Sequence, residues 1–268
     1  MSRSPGEQRE PVAKVPEITG WFWLTKILTT AMGEAISDFM NATLGPAIAV
    51  PIMLIGLTVA LRYQFRSDRY DAWPYWTVVA MVSVFGTSAA DALHVGLGIA
   101  YPVSTSFYAL VLAGIFIAWY RSEGTLSIHS IRTRRRERFY WATVLATFAL
   151  GTAAGDMTAT SMHIGYFASG VMFGVIIAVP AIAHARLRLN PIVAFWFAYT
   201  ITRPLGASFA DWFDNPHRLG GLGLGTGPVS LGLTALVLLA IRHMAVNGIG
   251  LRVSGLAQPL EPSLVTVR

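Results

Sequence analysis

Four aspartates stand in stretches that otherwise read as lipid-soluble: Asp38 in GEAISD, Asp91 in GTSAAD, Asp156 in GTAAGD and Asp211 in GASFAD. A charge at membrane depth costs roughly 2.5–3.5 kcal/mol even on the lenient insertion scale, so each carboxylate calls for a proton, water, a basic side chain or a bound cation. Clustered carboxylates suit hard cations and proton coupling. Glu34 lies one helical turn before Asp38, and His94 lies one turn beyond Asp91 on the same face. Asn41 and Asp214 share the offset of His94, while His163 and His217 fall in equivalent joints. With no cysteine in the chain, a metal would meet only oxygen or imidazole, a donor set that suits Mn(II), Fe(II) or Zn(II). The expected cation or proton site is therefore Asp38, Asp91, Asp156, Asp211, Glu34 and His94, with the four aspartates as metal ligands.

Two basic residues could balance that charge. Lys26 stands twelve residues before Asp38 and only three after Trp23, a place from which lysine commonly snorkels to the interface. Arg203 stands eight residues before Asp211 and is followed by Pro204; it is expected to face the bundle and neutralise one carboxylate. The competing reading has the helices end near each aspartate, with the carboxylates capping a turn such as NATLGP or HVGLG and facing water.

The elements that position these residues follow from composition. Of 268 residues, 54% are hydrophobic and 13% charged, the balance of an integral membrane protein. Windows long enough to cross about 30 Å of hydrocarbon fall near 18–39, 46–63, 73–93, 99–120, 139–158, 164–184, 192–212 and 226–246. The expected fold is all-α, with eight transmembrane helices. The tails, 1–17 and 247–268, are expected to lack stable folds. Residues 1–17 do not read as a signal peptide, because a mixed-charge stretch precedes an apolar run that carries Lys26, Glu34 and Asp38.

Aligned on the aspartates, the sequence repeats. Five residues before each stands a glycine, Gly33, Gly86, Gly151 or Gly206. Fifteen before each stands a tryptophan preceded by another aromatic: Phe22-Trp23, Tyr75-Trp76, Tyr140-Trp141 and Phe195-Trp196. The unit is a helical hairpin used four times, at about 18–70, 71–125, 137–188 and 191–246. Two crossings per unit give all four copies one orientation, so the aspartates share a depth, roughly 22 Å beyond tryptophans placed at the cytoplasmic interface.

Positions one, five and nine before each aspartate are mostly small, with Gly155 joining the four glycines, and form a packing stripe. A second stripe steps back by fours: Glu34 and Thr30, Thr87 and Ser83, Thr152 and Phe148, Ala207 and Arg203. Together they make a wedge pointing inward, which predicts a pseudo-fourfold bundle with odd helices gathered inside and even helices around them.

Of the 20 Lys and Arg, 17 lie in the N-terminal tail, at the joints after the second, fourth and sixth helices, or at the end of the eighth helix and in the tail beyond it. That asymmetry implies both termini inside, in the bacterial inner membrane. IRTRRRER at 131–138 reads as an orientation signal beside anionic lipid rather than a nucleic-acid site.

The string KVPEITGWFWLTKILTTAMGEAISDFM, Lys14–Met40, and the GTAAGD-type motifs resemble a family of bacterial multi-span proteins defined by a repeat of unknown function and labelled membrane-anchored. Repeats two and four carry Ala90 and Ala210 where that pattern has glycine. The resemblance implies the architecture and carries no substrate.

No His-Glu-x-x-His, Gly-x-Ser-x-Gly, phosphate-binding loop or dinucleotide fingerprint is present, so the chain is not expected to be an enzyme. The expectation is a secondary transporter or channel for a divalent metal or a proton. The alternatives are a non-transporting scaffold or sensor, or a haem- or quinone-binding redox protein. No cofactor beyond a divalent cation is called for. The expected partners are the bilayer, a small cation and, in a homo-oligomer, further copies of the chain.

Overall fold

The computed structural model describes residues 13–251. Among these there is no strand; eight long helices follow one another, α1 Gly20–Leu44, α2 Pro46–Arg66, α3 Ala72–Asp91, α4 Tyr101–Glu123, α5 Arg134–Asp156, α6 Tyr166–Leu187, α7 Pro191–Asp214 and α8 Thr226–Val246.

Local chemistry sets the hairpins. Every odd helix begins on a side-chain cap: Thr19 accepts from Phe22 N, Asp71 from Trp73 N, Thr133 from Arg136 N and Asn190 from Ile192 N. Each cap satisfies one of the orphan donors of a helix N-terminus. The even helices have no such cap, and three of them start just after a glycine at positive φ, Gly45, Gly165 or Gly225. There the chain must reverse within a residue or two, a conformation that a side chain would strain.

The odd helices form a closed ring, α1 against α3, α3 against α5, α5 against α7 and α7 back against α1. The even helices lie outside: α2 rests on α3, α4 on α5, α6 on α7 and α8 on α1. Those four outer helices are long and apolar enough to cross a membrane, and only 17–33% of each apolar stretch is buried in the protein. Their unburied faces carry Ile55, Leu110, Val175 and Leu231. The polar residues are inside instead, where lipid would exclude them.

At the end where the odd helices begin, residues 13–17 are packed rather than loose. Lys14 N donates to Ile131 O, Tyr70 N to Ala13 O and Glu17 N to Gly250 O. The buried Lys14 ammonium meets the Glu137 carboxylate at 2.9 Å, and Gln64 donates to the other Glu137 oxygen at 3.2 Å. The expectation of an unfolded 1–17 tail thus fails for its described part, because Lys14 supplies the counter-charge for a fully buried Glu137. Gly248 and Gly250 likewise turn back onto the bundle. The rest of both tails, 1–12 and 252–268, lies outside the described residues.

Candidate functional site

The axis of the ring is built in layers. Four residues before the aspartates lie Glu34, Thr87, Thr152 and Ala207; eight before, Thr30, Ser83, Phe148 and Arg203. Twelve before come Lys26, Val79, Val144 and Tyr199, and sixteen before come Phe22, Tyr75, Tyr140 and Phe195. Every one of these residues is buried. The glycines set the spacing, because a Cβ on Gly33 would collide with Ser83, on Gly86 with Phe148, on Gly151 with Arg203, and on Gly206 with Thr30. Each glycine meets the same layer of the next odd helix, which closes the fourfold ring by backbone approach. Gly155 is less constrained, since a Cβ there would lie 3.6 Å from Pro204, at ordinary contact distance.

Arg203 ties the middle together. Its Nη1 donates to the Thr30 carbonyl at 3.0 Å, and its Nη2 donates to Thr152 Oγ1 at 2.7 Å and to the Glu34 carboxylate and the Thr87 hydroxyl. One guanidinium therefore bridges all four odd helices, a fork geometry lysine could not reproduce. The expected neutralisation is present in the geometry, and the carboxylate involved is that of Glu34.

Above this layer the axis changes character. Carboxylate oxygens of Glu34, Asp156 and Asp211 lie within 4.8 Å of one another, and so do those of Asp38, Asp211 and Asp214. Oxygens on opposite sides of a Ca(II)-sized ion, at about 2.3–2.6 Å each, are separated by about 5 Å or less. Either trio fits one hard cation, and Asp211 belongs to both. Among the described residues, the side-chain carboxylates of Asp38, Asp91, Asp156 and Asp211 take part in no hydrogen bond or ion pair, whereas that of Glu34 is held by Arg203. Asp91 stands in neither trio; it lines, with Asp38, a half-open cleft between α1, α2 and α3.

None of the four caps a turn. Helix α1 runs six residues past Asp38 and α7 three past Asp211, while Asp91 and Asp156 pass directly into π-helical turns, Ala92–Gly96 and Met157–Ser161, without a side-chain cap bond. Such turns re-aim the side chains around them and often occur at functional sites. They appear in repeats two and three only, so the fourfold symmetry is broken in pairs.

Three expectations are corrected. Lys26 does not snorkel: it is buried, with its Nζ 4.0 Å from the Phe148 ring centroid and 4.3 Å from that of Tyr199. The ring faces hold the ammonium where no carboxylate does. His94 is not among the carboxylates; its Nδ1 pairs with the Ile99 carbonyl at 2.6 Å and its ring stacks on Tyr101. The π-helical turn that carries His94 displaces it from the face it would occupy on a continuing α-helix. Finally, Trp76, Trp141 and Trp196 are buried in the bundle instead of marking the interface. With Tyr199 and the outermost layer they form a continuous aromatic plug, in which the Tyr75 and Tyr140 hydroxyls meet at 2.5 Å.

Asp214 was visible in the sequence only as one of several residues three beyond an aspartate; the unbroken helix of repeat four brings it to Asp38 and Asp211. Fold and site define an all-helical protein of four tandem hairpins around a polar axis. The chain belongs to the family described as Repeat of Unknown Function (DUF347), whose profile matches it four times, at residues 21–70, 74–125, 139–190 and 194–246. No curated protein and no solved structure matches it.

Proposed function

We propose that this chain is a multi-pass inner-membrane protein that binds a cation at its carboxylate end and moves it as a secondary transporter. The observation that carries the reading is the pair of carboxylate trios sharing Asp211, with no basic side chain on any of the four aspartates. Six carboxylates, Glu34, Asp38, Asp91, Asp156, Asp211 and Asp214, gather at one end, where a single guanidinium pairs with one of them. Their mutual repulsion in a poorly hydrated site favours a bound cation or protons.

In the reading, all eight helices cross the bilayer. The odd helices run 20–25 residues, against 21–23 for the outer ones, and about 20 residues suffice for the hydrocarbon core; their polar side chains are sheltered by the ring. The basic joints Arg66–Arg69 and Arg132–Arg138 then face the cytoplasm with both termini, and the carboxylates face outward. The aromatic plug favours alternating access over an open channel, since it seals the axis on the cytoplasmic side. Passage requires the ring to part there.

The test is flux into proteoliposomes under imposed gradients of Mn(II), Zn(II), Mg(II), K(I) and protons, wild type against Asp156→Asn. Flux of one cation that the variant loses supports transport through the carboxylates. Equal flux in both, or none from folded protein under any gradient, contradicts it.

A further inference from the structure

The cleft between α1, α2 and α3 is much larger than a metal ion needs. It encloses about 760 Å³, within the range of roughly 300–1,000 Å³ that takes small organic ligands. Pro46, Ala47 and Val50 make an apolar wall, and Asp38, Asn41, Ser88 and Asp91 stand opposite.

The hydrogen-bonding inventory of that polar side is one-sided. Asn41 Nδ2 donates to Ser88 Oγ at 3.1 Å and lies 3.5 Å from Ser37 Oγ, the two serine hydroxyls pair at 2.7 Å, and Ser88 reaches Met53 Sδ. The side-chain donors are therefore committed within the protein. What remains are acceptors: the carboxylates of Asp38 and Asp91, which have no hydrogen-bond partner, and Asn41 Oδ1, which is buried without one. A buried acceptor left unsatisfied is costly, so the wall is complementary to a donor that the protein does not supply. An anion would be repelled, and a sugar would find acceptors but no free side-chain donors. A bare divalent ion would leave the apolar wall unused.

We propose that this cleft binds an amphipathic organic monocation, its nitrogen between Asp38 and Asp91, an N–H on Asn41 Oδ1, and its apolar body against Pro46, Ala47 and Val50. The proposal deepens the reading of the carboxylate end as a cation site, of which it rests on the outward-facing charge alone. Asp38 links the two, because it also belongs to the trio with Asp211 and Asp214.

The probe is ethidium, an aromatic monocation with amino N–H groups, titrated by fluorescence polarisation onto the full chain in nanodiscs of zwitterionic lipid. Saturable binding above empty nanodiscs is expected, weakened at least about tenfold by Asp91→Asn, which removes a close charge pair. Val50→Trp, which fills the apolar side, should weaken it similarly; if that variant misfolds, Ala47→Leu serves the same purpose. No saturable binding, or binding indifferent to both the charge and the filling variants, overturns the proposal. Flux of the full cation panel, measured in proteoliposomes made from the same purified wild-type protein, separates the claims: ethidium binding without flux of any cation, or flux without ethidium binding, leaves one standing and the other refuted.

Discussion

The two ends of the same four helices are built from the same repeat and finished in opposite ways. At the basic end, side chains from all four copies interlock: the aromatic layers are buried, Tyr75 and Tyr140 share a hydrogen bond, and Lys14 neutralises Glu137. At the acidic end four aspartates at equivalent positions are left without partners while Arg203, one layer below Glu34, commits its guanidinium to that residue and to three threonines. A stable fold needs only the first kind of end. Maintaining the second, with carboxylates crowded against one another, is a cost to stability that a ligand would offset.

Breaking the junction between the ends should have the largest effect. Arg203→Met strands Glu34 among buried residues, and uncompensated charges of that kind cost about 3–5 kcal/mol; loss of the monodisperse peak in gel filtration is expected. Adding Glu34→Gln should restore much of it. Next comes Gly206→Val, which forces a branched side chain into Thr30 and Ala31 across the ring. Overpacking of this kind costs about 1–3 kcal/mol or more, read as a lowered thermal midpoint in detergent. At the basic end, Tyr75→Phe removes one buried hydrogen bond, about 0.5–1.5 kcal/mol, with no change in cation binding. The smallest stability change, within about 1 kcal/mol and towards higher stability at low salt, is expected for Asp156→Asn, which relieves repulsion. Mn(II) is predicted to raise the thermal midpoint of the wild type and to leave that of Asp156→Asn unchanged. Opposite signs at the two ends would sharpen the contrast; an Asp156→Asn midpoint falling as far as that of Gly206→Val would erase it.

Much of this was legible because spacing encodes register. The offsets of glycine and aromatic residues from each aspartate place the same layers in all four hairpins, and the small-residue stripe fixes which helices approach closely. Depth along a helix is readable in this way; direction around it is less so. Trp76 and Lys26 have the chemistry of interfacial side chains, yet both turn inward, because an aromatic interior can hold an indole or an ammonium as an interface can. His94 was misplaced for another reason: a one-turn offset assumes an α-helix, and the chain there is π-helical. Stepping back by fours twice more from Asp38 and its equivalents would have reached Phe22, Tyr75, Tyr140 and Phe195 and shown the plug. Asp214 depended on α7 running unbroken past Asp211 to the Asn215-Pro216 pair that stops it, a boundary the sequence carries and the repeat alignment did not use.

The claim that the acidic end is a cation site is tested most directly by electron paramagnetic resonance of Mn(II) titrated onto the purified chain. Saturable loss of the free Mn(II) signal is predicted for wild type, with Asp211→Asn, the carboxylate common to both trios, abolishing it and Tyr75→Phe leaving it intact. Wild-type protein that leaves the free signal unchanged, or an Asp211→Asn variant that binds as wild type does, would contradict it.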